Sequence, residues 1–398
     1  MDSDYARTSP REFVLDVARA VNDDGSKKYK LDIALNTLVT KVNFDTSSAR
    51  PRATGVDYLA GKSLYRADTR ASRDDVDGVP GSVNARREVI VAGGTFNTPQ
   101  ILKLSGIGPA SELRSHGIPV VRDLPGVGGN LQDRYEVGIA GNASSDFSLL
   151  RGCTFLEGED PCYDKWKNNR LAALKGTYAT NGLAFGYIHH SSVAEGDPDL
   201  YLGGAPALFD GYYPGYAESA TSERNIWTWL TLKAHSRSRA GTVNLTTADP
   251  RDTPRIAFRS ALGEGAEGQA DLQALYEGAE YGLQAFASLI PLDGGGGFER
   301  IWPDPERVPD GDEAALRRFI RDEAWGHHAC CTAPIGADDD AHAVLDADLR
   351  VRGVDGLRVV DASVFPRIPG TYIVLPIYMV SEKAADAILA AAREDDAA

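Results

Sequence analysis

Leu357-Arg-Val-Val-Asp-Ala-Ser-Val-Phe-Pro366, continued by Ile368-Pro-Gly-Thr-Tyr-Ile-Val-Leu-Pro376, is the stretch on which the fold turns. Leu357 to Val360 is a short apolar, β-branched run of the kind that fills a parallel strand buried on both faces. Asp361 stands at its carboxyl end, where open α/β sheets place their ligands. Pro376 suits the first turn of a following helix, because its missing N–H would be unpaired there anyway. A helix start beside a strand end favours negative charge, through free backbone N–H groups and the positive end of the helix dipole.

Two further blocks flank this one: Ala324-Trp-Gly-His-His-Ala-Cys-Cys-Thr-Ala-Pro-Ile-Gly336 before it and Ile377-Tyr-Met-Val-Ser-Glu-Lys-Ala-Ala-Asp-Ala-Ile388 after it. In order and spacing the three resemble the C-terminal signature of the glucose-methanol-choline (GMC) family of flavin-dependent oxidoreductases. Residues 87–109 are a second anchor. Val89 to Val91 reads as a buried strand, Gly93-Gly94 as a tight turn, and Thr98-Pro99 as an N-cap with the first helical residue. Gly106 reads as the stop of that short helix. The run resembles the family's second signature pattern, and Gly126-Val-Gly-Gly-Asn-Leu-Gln-Asp133 continues it.

The resemblance implies an α/β protein, α+β overall: part of an FAD-binding Rossmann-like domain plus an antiparallel-sheet substrate domain. The expected limits are 1–136 and 326–398 for the FAD side and 137–325 for the substrate domain. A strand is expected over Tyr29–Phe44, with the backbone of Val39 at the FAD adenine. Ala92 and Gly93 are expected against FAD, and Asp361 and Ala362 at its ribityl and pyrophosphate. Leu375 and Pro376 would present the helix start to the flavin ring. The expected chemistry is oxidation of a small alcohol, with hydride passing to the flavin while a base takes the hydroxyl proton; a pKa near working pH suits histidine to that task. The family's catalytic position falls on His328, with His327 beside it. Its second position, usually His or Asn, falls on Val374, which has no hydrogen-bonding group; Tyr372 is the nearest polar substitute. A lyase or a light-driven decarboxylase on the same scaffold stays open, as does a non-catalytic fragment or subunit.

A GMC protein also begins with a strand, a Gly-x-Gly-x-x-Gly turn and a helix that hold the FAD pyrophosphate. That half is expected to be lacking here, supplied by a second chain or lost from a truncated reading frame.

In the middle of the chain, Ala184–His190, Asp199–Gly203, Ile226–His235 and Gly241–Thr246 alternate between Gly, Pro and Asp turns and read as antiparallel strands. Helices are expected over Arg11–Ala20, Asp271–Leu289 and Glu313–Trp325. Phe209, Tyr212, Tyr213 and Tyr216 either roof a pocket or pack on their own loop, and Gly294–Gly297 reads as a linker.

Composition narrows the partners. Among 398 residues, 42 Lys plus Arg against 57 Asp plus Glu give a net charge of −15. Nucleic acid is excluded as a partner because phosphate binding needs a basic face. No run approaches the roughly twenty apolar residues that span a bilayer, and the start lacks a secretory signal, so a cytoplasmic protein is expected. Four cysteines are too few for a disulfide framework in a chain this size, and pairing of Cys153 with Cys162 around a short loop stays open beside the free-thiol reading. The adjacent Cys330 and Cys331 lack the spacing of tetrahedral zinc ligands, so no metal is expected.

Overall fold

The computed structural model describes residues 5–71, 77–155, 158–259, 262–289 and 296–397. The chain divides into two compact units. One comprises residues 36–135, 233–272 and 326 onward; the other comprises the described residues up to Leu35 with 136–232 and 273–325. This division departs from the expected limits at two segments, the first thirty-five residues and 233–272.

The first unit is built on a parallel pair, Val89–Val91 with Leu357–Val359, in the register Leu357↔Val89 and Val359↔Val91. Both strands are three residues long; Val89–Val91 is wholly β-branched, and Leu357 and Val359 flank the buried Arg358 in the other. Leu357, Val359 and Val91 are at most 5% exposed, and each is worth about 1.5–3 kcal/mol in water-excluded area. Leu102, Val344, Leu345 and Val351 complete the core around them. An antiparallel sheet in the order Thr37–Asp45, Arg52–Ala60, Val79–Asn84 adjoins. The helix Val374–Ala397 closes this unit in sequence, with Pro376 in its first turn as expected.

Two local expectations need correction. The strand anticipated over Tyr29–Phe44 begins only at Thr37. Asn36 takes a left-handed φ of 52°, which breaks an extended run, and its carbonyl accepts from Gly61 N–H at 2.8 Å. The helix after Val91 begins at Gly94 rather than at Pro99. Proline inside a helix has no N–H for the carbonyl four residues back; here that carbonyl, Thr95 O, accepts from Thr332 Oγ1 at 2.7 Å instead. The helix ends where expected, before Gly106 at φ 83°.

The second unit holds a five-stranded sheet in the order Glu299–Trp302, Glu136–Asn142, Ile226–Lys233, Leu200–Ala205, Phe185–His189. Glu136–Asn142 runs antiparallel to both Glu299–Trp302 and Ile226–Lys233, and Leu200–Ala205 runs antiparallel to Phe185–His189. Glu136–Asn142 and Glu299–Trp302 were not legible as strands; Gly138 and Gly141 interrupt the apolar alternation of the first. The helix Gly265–Ser288 lays Leu275, Ala279 and Phe286 into this core. A Cβ at Gly278 would sit 2.3 Å from Thr231 Cγ2, so glycine is what lets helix and strand approach. Thr242–Asn244 belongs to the first unit, paired with Arg255–Ala257.

Asp312 caps the helix Glu313–Glu323 through Ala315 N–H at 2.9 Å. Phe209, Tyr212 and Tyr216 pack on one another, with ring centroids 4.9–6.0 Å apart. Cys153 and Cys162 form a disulfide. Gly294 and Gly295 lie outside the described residues. Among the described residues no helix is long and apolar enough to cross a membrane.

Candidate active site

Asp361 joins the two strand ends of the first unit. As the strand Leu357–Val359 ends, its carboxylate accepts from Ser363 N at 2.7 Å, Gly94 N at 2.9 Å and Thr98 Oγ1 at 2.5 Å. Thr98 Oγ1 in turn accepts from Gly93 N at 2.9 Å. The residue expected as an N-cap is thus the clasp between the turn after Val91 and Asp361, 263 residues later. Carboxylate hydrogen bonds of this kind are about twice as strong as neutral ones.

Beside the clasp lies a cavity of about 470 Å³. Val39, Ala92 and Gly93, expected at the cofactor from separate parts of the sequence, all line it. Val42, Val56, Val83 and Ile101 make the walls apolar, and Glu88 contributes a carboxylate. The cavity needs Gly55 at its floor, since a Cβ there would meet Val83 O at 2.2 Å. Gly55, Val83 and Glu88 carry no motif signal, because only strand pairing brings them to this wall. Ala362 is near the clasp, where its carbonyl accepts from Cys331 N at 3.1 Å. Leu375 and Pro376 are at the start of the Val374–Ala397 helix, where Leu375 is 64% exposed, and neither lines the cavity.

The His327-His328 segment is held from several sides. Cys330 N donates to Gln132 O at 2.9 Å, and Thr95 Oγ1 donates to Ala329 O at 2.7 Å. Asp133 Oδ1 accepts from His328 N at 2.9 Å and from Arg134 N at 2.8 Å. Burial pushes the Asp133 carboxyl above the usual range, against the downward pull of those two N–H groups and of the neighbouring histidines. His328 is buried and His327 exposed, with ring centroids 3.8 Å apart. Tyr372 lies 5.7 Å from the His328 ring, whereas Val374 is apolar and 53% exposed. Cys330 and Cys331 are fully buried, and burial pushes the Cys331 thiol far up, as for an inert core residue.

One Gly-x-Gly-x-x-Gly string does occur, Gly263-Glu-Gly-Ala-Glu-Gly268. It opens the helix Gly265–Ser288. The strand before it, Arg255–Ala257, pairs antiparallel with Thr242–Asn244, and Glu264 and Glu267 bring negative charge to the helix start. Neither feature suits a pyrophosphate turn, which needs a parallel strand and an anion-favouring helix end.

Comparison with known proteins agrees with this geometry. Two models of the GMC oxidoreductase family match, the N-terminal one at residues 14–136 and the C-terminal one at 236–381, together more than half of the chain. The chain belongs to the GMC oxidoreductase family. This is a family of FAD proteins, and part of its N-terminal domain is present here within 14–136.

Among relatives of this GMC chain, an oxygen-dependent choline dehydrogenase of Brucella anthropi is 34% identical over 341 residues, covering 85% of this chain and 55% of the relative. A chloroplastic fatty acid photodecarboxylase of Chlamydomonas reinhardtii is 33% identical, covering 89% and 56%. The chain therefore spans about half the length of the curated relatives it matches. Among solved structures, a variant of Aspergillus oryzae formate oxidase superposes with a TM-score of 0.71 at 23% identity, over 90% of this chain and 60% of that one. Pyridoxine 4-oxidase from Mesorbium loti gives 0.62 at 20%, over 88% and 56%. At these identities the structural likeness establishes the fold.

Proposed function

We propose that this GMC chain carries the FAD-proximal and proton-transfer parts of an enzyme that oxidises a small alcohol. The observation that carries the reading is the Asp361 clasp, which ties the two signature blocks together next to an apolar cavity. The cavity fits a flat heteroaromatic ring: its walls are aliphatic and its backbone approaches closely at Gly55 and Gly93. Val39, Ala92 and Gly93 would hold the adenine end of FAD, Asp361 and Ala362 the ribityl and pyrophosphate, and Leu375 and Pro376 the flavin ring. On this reading, 36–135, 233–272 and 326–398 form the FAD domain, and 136–232 with 273–325 supply the substrate domain.

FAD, when bound, supplies hydride acceptance from the alcohol carbon. A ring nitrogen of His328 takes the hydroxyl proton. Its backbone is fixed by the Asp133 carboxylate, so that the ring presents one orientation to the hydroxyl. His327 and the Tyr372 hydroxyl orient the substrate oxygen, a task that Val374 cannot share.

A further segment completes the parallel sheet, from a second chain or from a longer form of this protein. A two-stranded parallel pair is ordinarily covered on both faces, yet Ile90 at its centre is 46% exposed. This segment would bring the phosphate-binding glycine turn. A cytoplasmic location sits poorly with the Cys153–Cys162 bond, since such bonds persist in oxidising compartments.

The test is an absorption spectrum after incubation with FAD and desalting, followed by anaerobic alcohol-driven bleaching in the assembly that retains flavin. His328→Ala should slow bleaching by about a hundredfold or more. An unchanged rate would remove His328 from the mechanism.

A further inference from the structure

The second unit contains a cavity that the flavin reading does not use. It is an open pocket of about 650 Å³, within the roughly 300–1,000 Å³ typical of small-molecule sites. Leu149, Ala172, Ala179 and Leu183 give it apolar walls, and Arg151 and Lys165 are its charged residues. Among the described residues no Asp or Glu lines it, although acids outnumber bases 57 to 42 in the chain. Neither cationic side chain has a hydrogen bond or ion pair to another described residue.

The frame is pinned before any ligand arrives. Asp160 caps the helix Pro161–Asn168 through Cys162 N at 2.8 Å and Tyr163 N at 3.3 Å, and also accepts from Tyr178 Oη at 2.6 Å. That acid is 4% exposed and accepts from Cys162, Tyr163 and Tyr178, with no hydrogen bond from Lys165. The Cys153–Cys162 disulfide fixes the same helix start. Thr177 Oγ1 donates to Leu149 O at 2.7 Å, and Lys175 Nζ donates to Trp166 O of the same helix at 3.0 Å. Preorganisation of this kind lowers the ordering cost of binding.

We infer that this cavity binds an amphipathic carboxylate, with its acid head between Arg151 and Lys165 and its apolar body along Leu149 and Leu183. The guanidinium fork matches a carboxylate in plane, and the aliphatic walls reward a hydrocarbon tail at about 0.8 kcal/mol per buried methylene in transfer terms. The site is independent of FAD.

Calorimetric titration of the full chain without flavin tests it, using decanoate, 1-decanol and decyltrimethylammonium, which share one tail. Decanoate should bind at one equivalent, and at least about tenfold more tightly than either of the others. Arg151→Glu with Lys165→Glu should weaken decanoate by at least about tenfold; the milder pair Arg151→Gln and Lys165→Gln, checked by circular dichroism, decides the matter if the charge-reversed protein does not fold. Absence of decanoate binding, equal binding of 1-decanol, or decanoate affinity within about twofold of wild type in a folded pair of variants would overturn the inference.

Discussion

Replacing Asp133 tests how the His328 segment is held. Asp133→Ala removes the acceptor of two backbone donors, His328 N at 2.9 Å and Arg134 N at 2.8 Å. All three residues are buried, with exposures of 6%, 7% and 0% for Asp133, His328 and Arg134. Each donor left without its acceptor costs about 1–3 kcal/mol. Part of that is offset, because the carboxylate itself is unfavourably desolvated; burial is the largest influence on it and pushes its pKa up. We expect Asp133→Ala to lose about 1–4 kcal/mol net, and Asp133→Asn, whose amide oxygen still accepts, to stay within about 1 kcal/mol of wild type.

The sign of the pH dependence follows. A carboxyl with a raised native pKa contributes stability that is fully present below the unfolded value, near 3.8, and is lost as pH rises through the native value. Asparagine does not titrate, so Asp133→Asn should gain on wild type across that window. Hydrogen exchange at the His328 amide reads the local effect: about tenfold or more faster in Asp133→Ala and unchanged in Asp133→Asn. Equal exchange rates and equal urea midpoints in the two variants would refute the account.

Asp361→Ala should weaken FAD retention by about tenfold or more, read by flavin fluorescence titration, because the turn at Gly94 and Thr98 loses a charge-assisted anchor. Glu112→Ala should cost about 3–5 kcal/mol in urea unfolding of the first unit: it strips the carboxylate from Lys103, whose ammonium is 1% exposed and 2.7 Å from Glu112 Oε2. Val243 O, also at 2.7 Å, and Asn244 Oδ1 at 3.4 Å would remain as neutral acceptors of that buried charge. Burial lowers the pKa of His235, and the nearby cations Arg367, Arg134 and Lys233 add to the shift. Its contribution to stability is therefore present above the unfolded value of about 6.5 and is lost as pH falls below it. Thermal melts between pH 8 and about pH 5 should show that loss in wild type and a flatter profile in His235→Gln.

The sequence by itself determined the parallel pair. Val89–Val91 is wholly β-branched and Leu357 and Val359 are apolar, and the need to bury Val91, Leu357 and Val359 is written into adjacent residues. It also marked His328 as a candidate base, through a block whose residues are contiguous, and determined the helices whose apolar stripe repeats locally. It did not reveal that Asn36 turns the chain before Thr37, since asparagine fits both extended and left-handed backbone. Nor did it reveal the strand Glu136–Asn142, whose glycines erase the alternation that marks a strand at a sheet surface. Only the tertiary structure decided that Thr98 clasps Asp361 instead of capping a helix, that Asp133 holds His328 from 195 residues away, and that Val39, Ala92 and Gly93 share one cavity. Periodicity and caps act over a few residues and leave a local trace. A hydrogen bond between distant segments depends on the path of the whole chain, so neither partner shows it in its own neighbourhood.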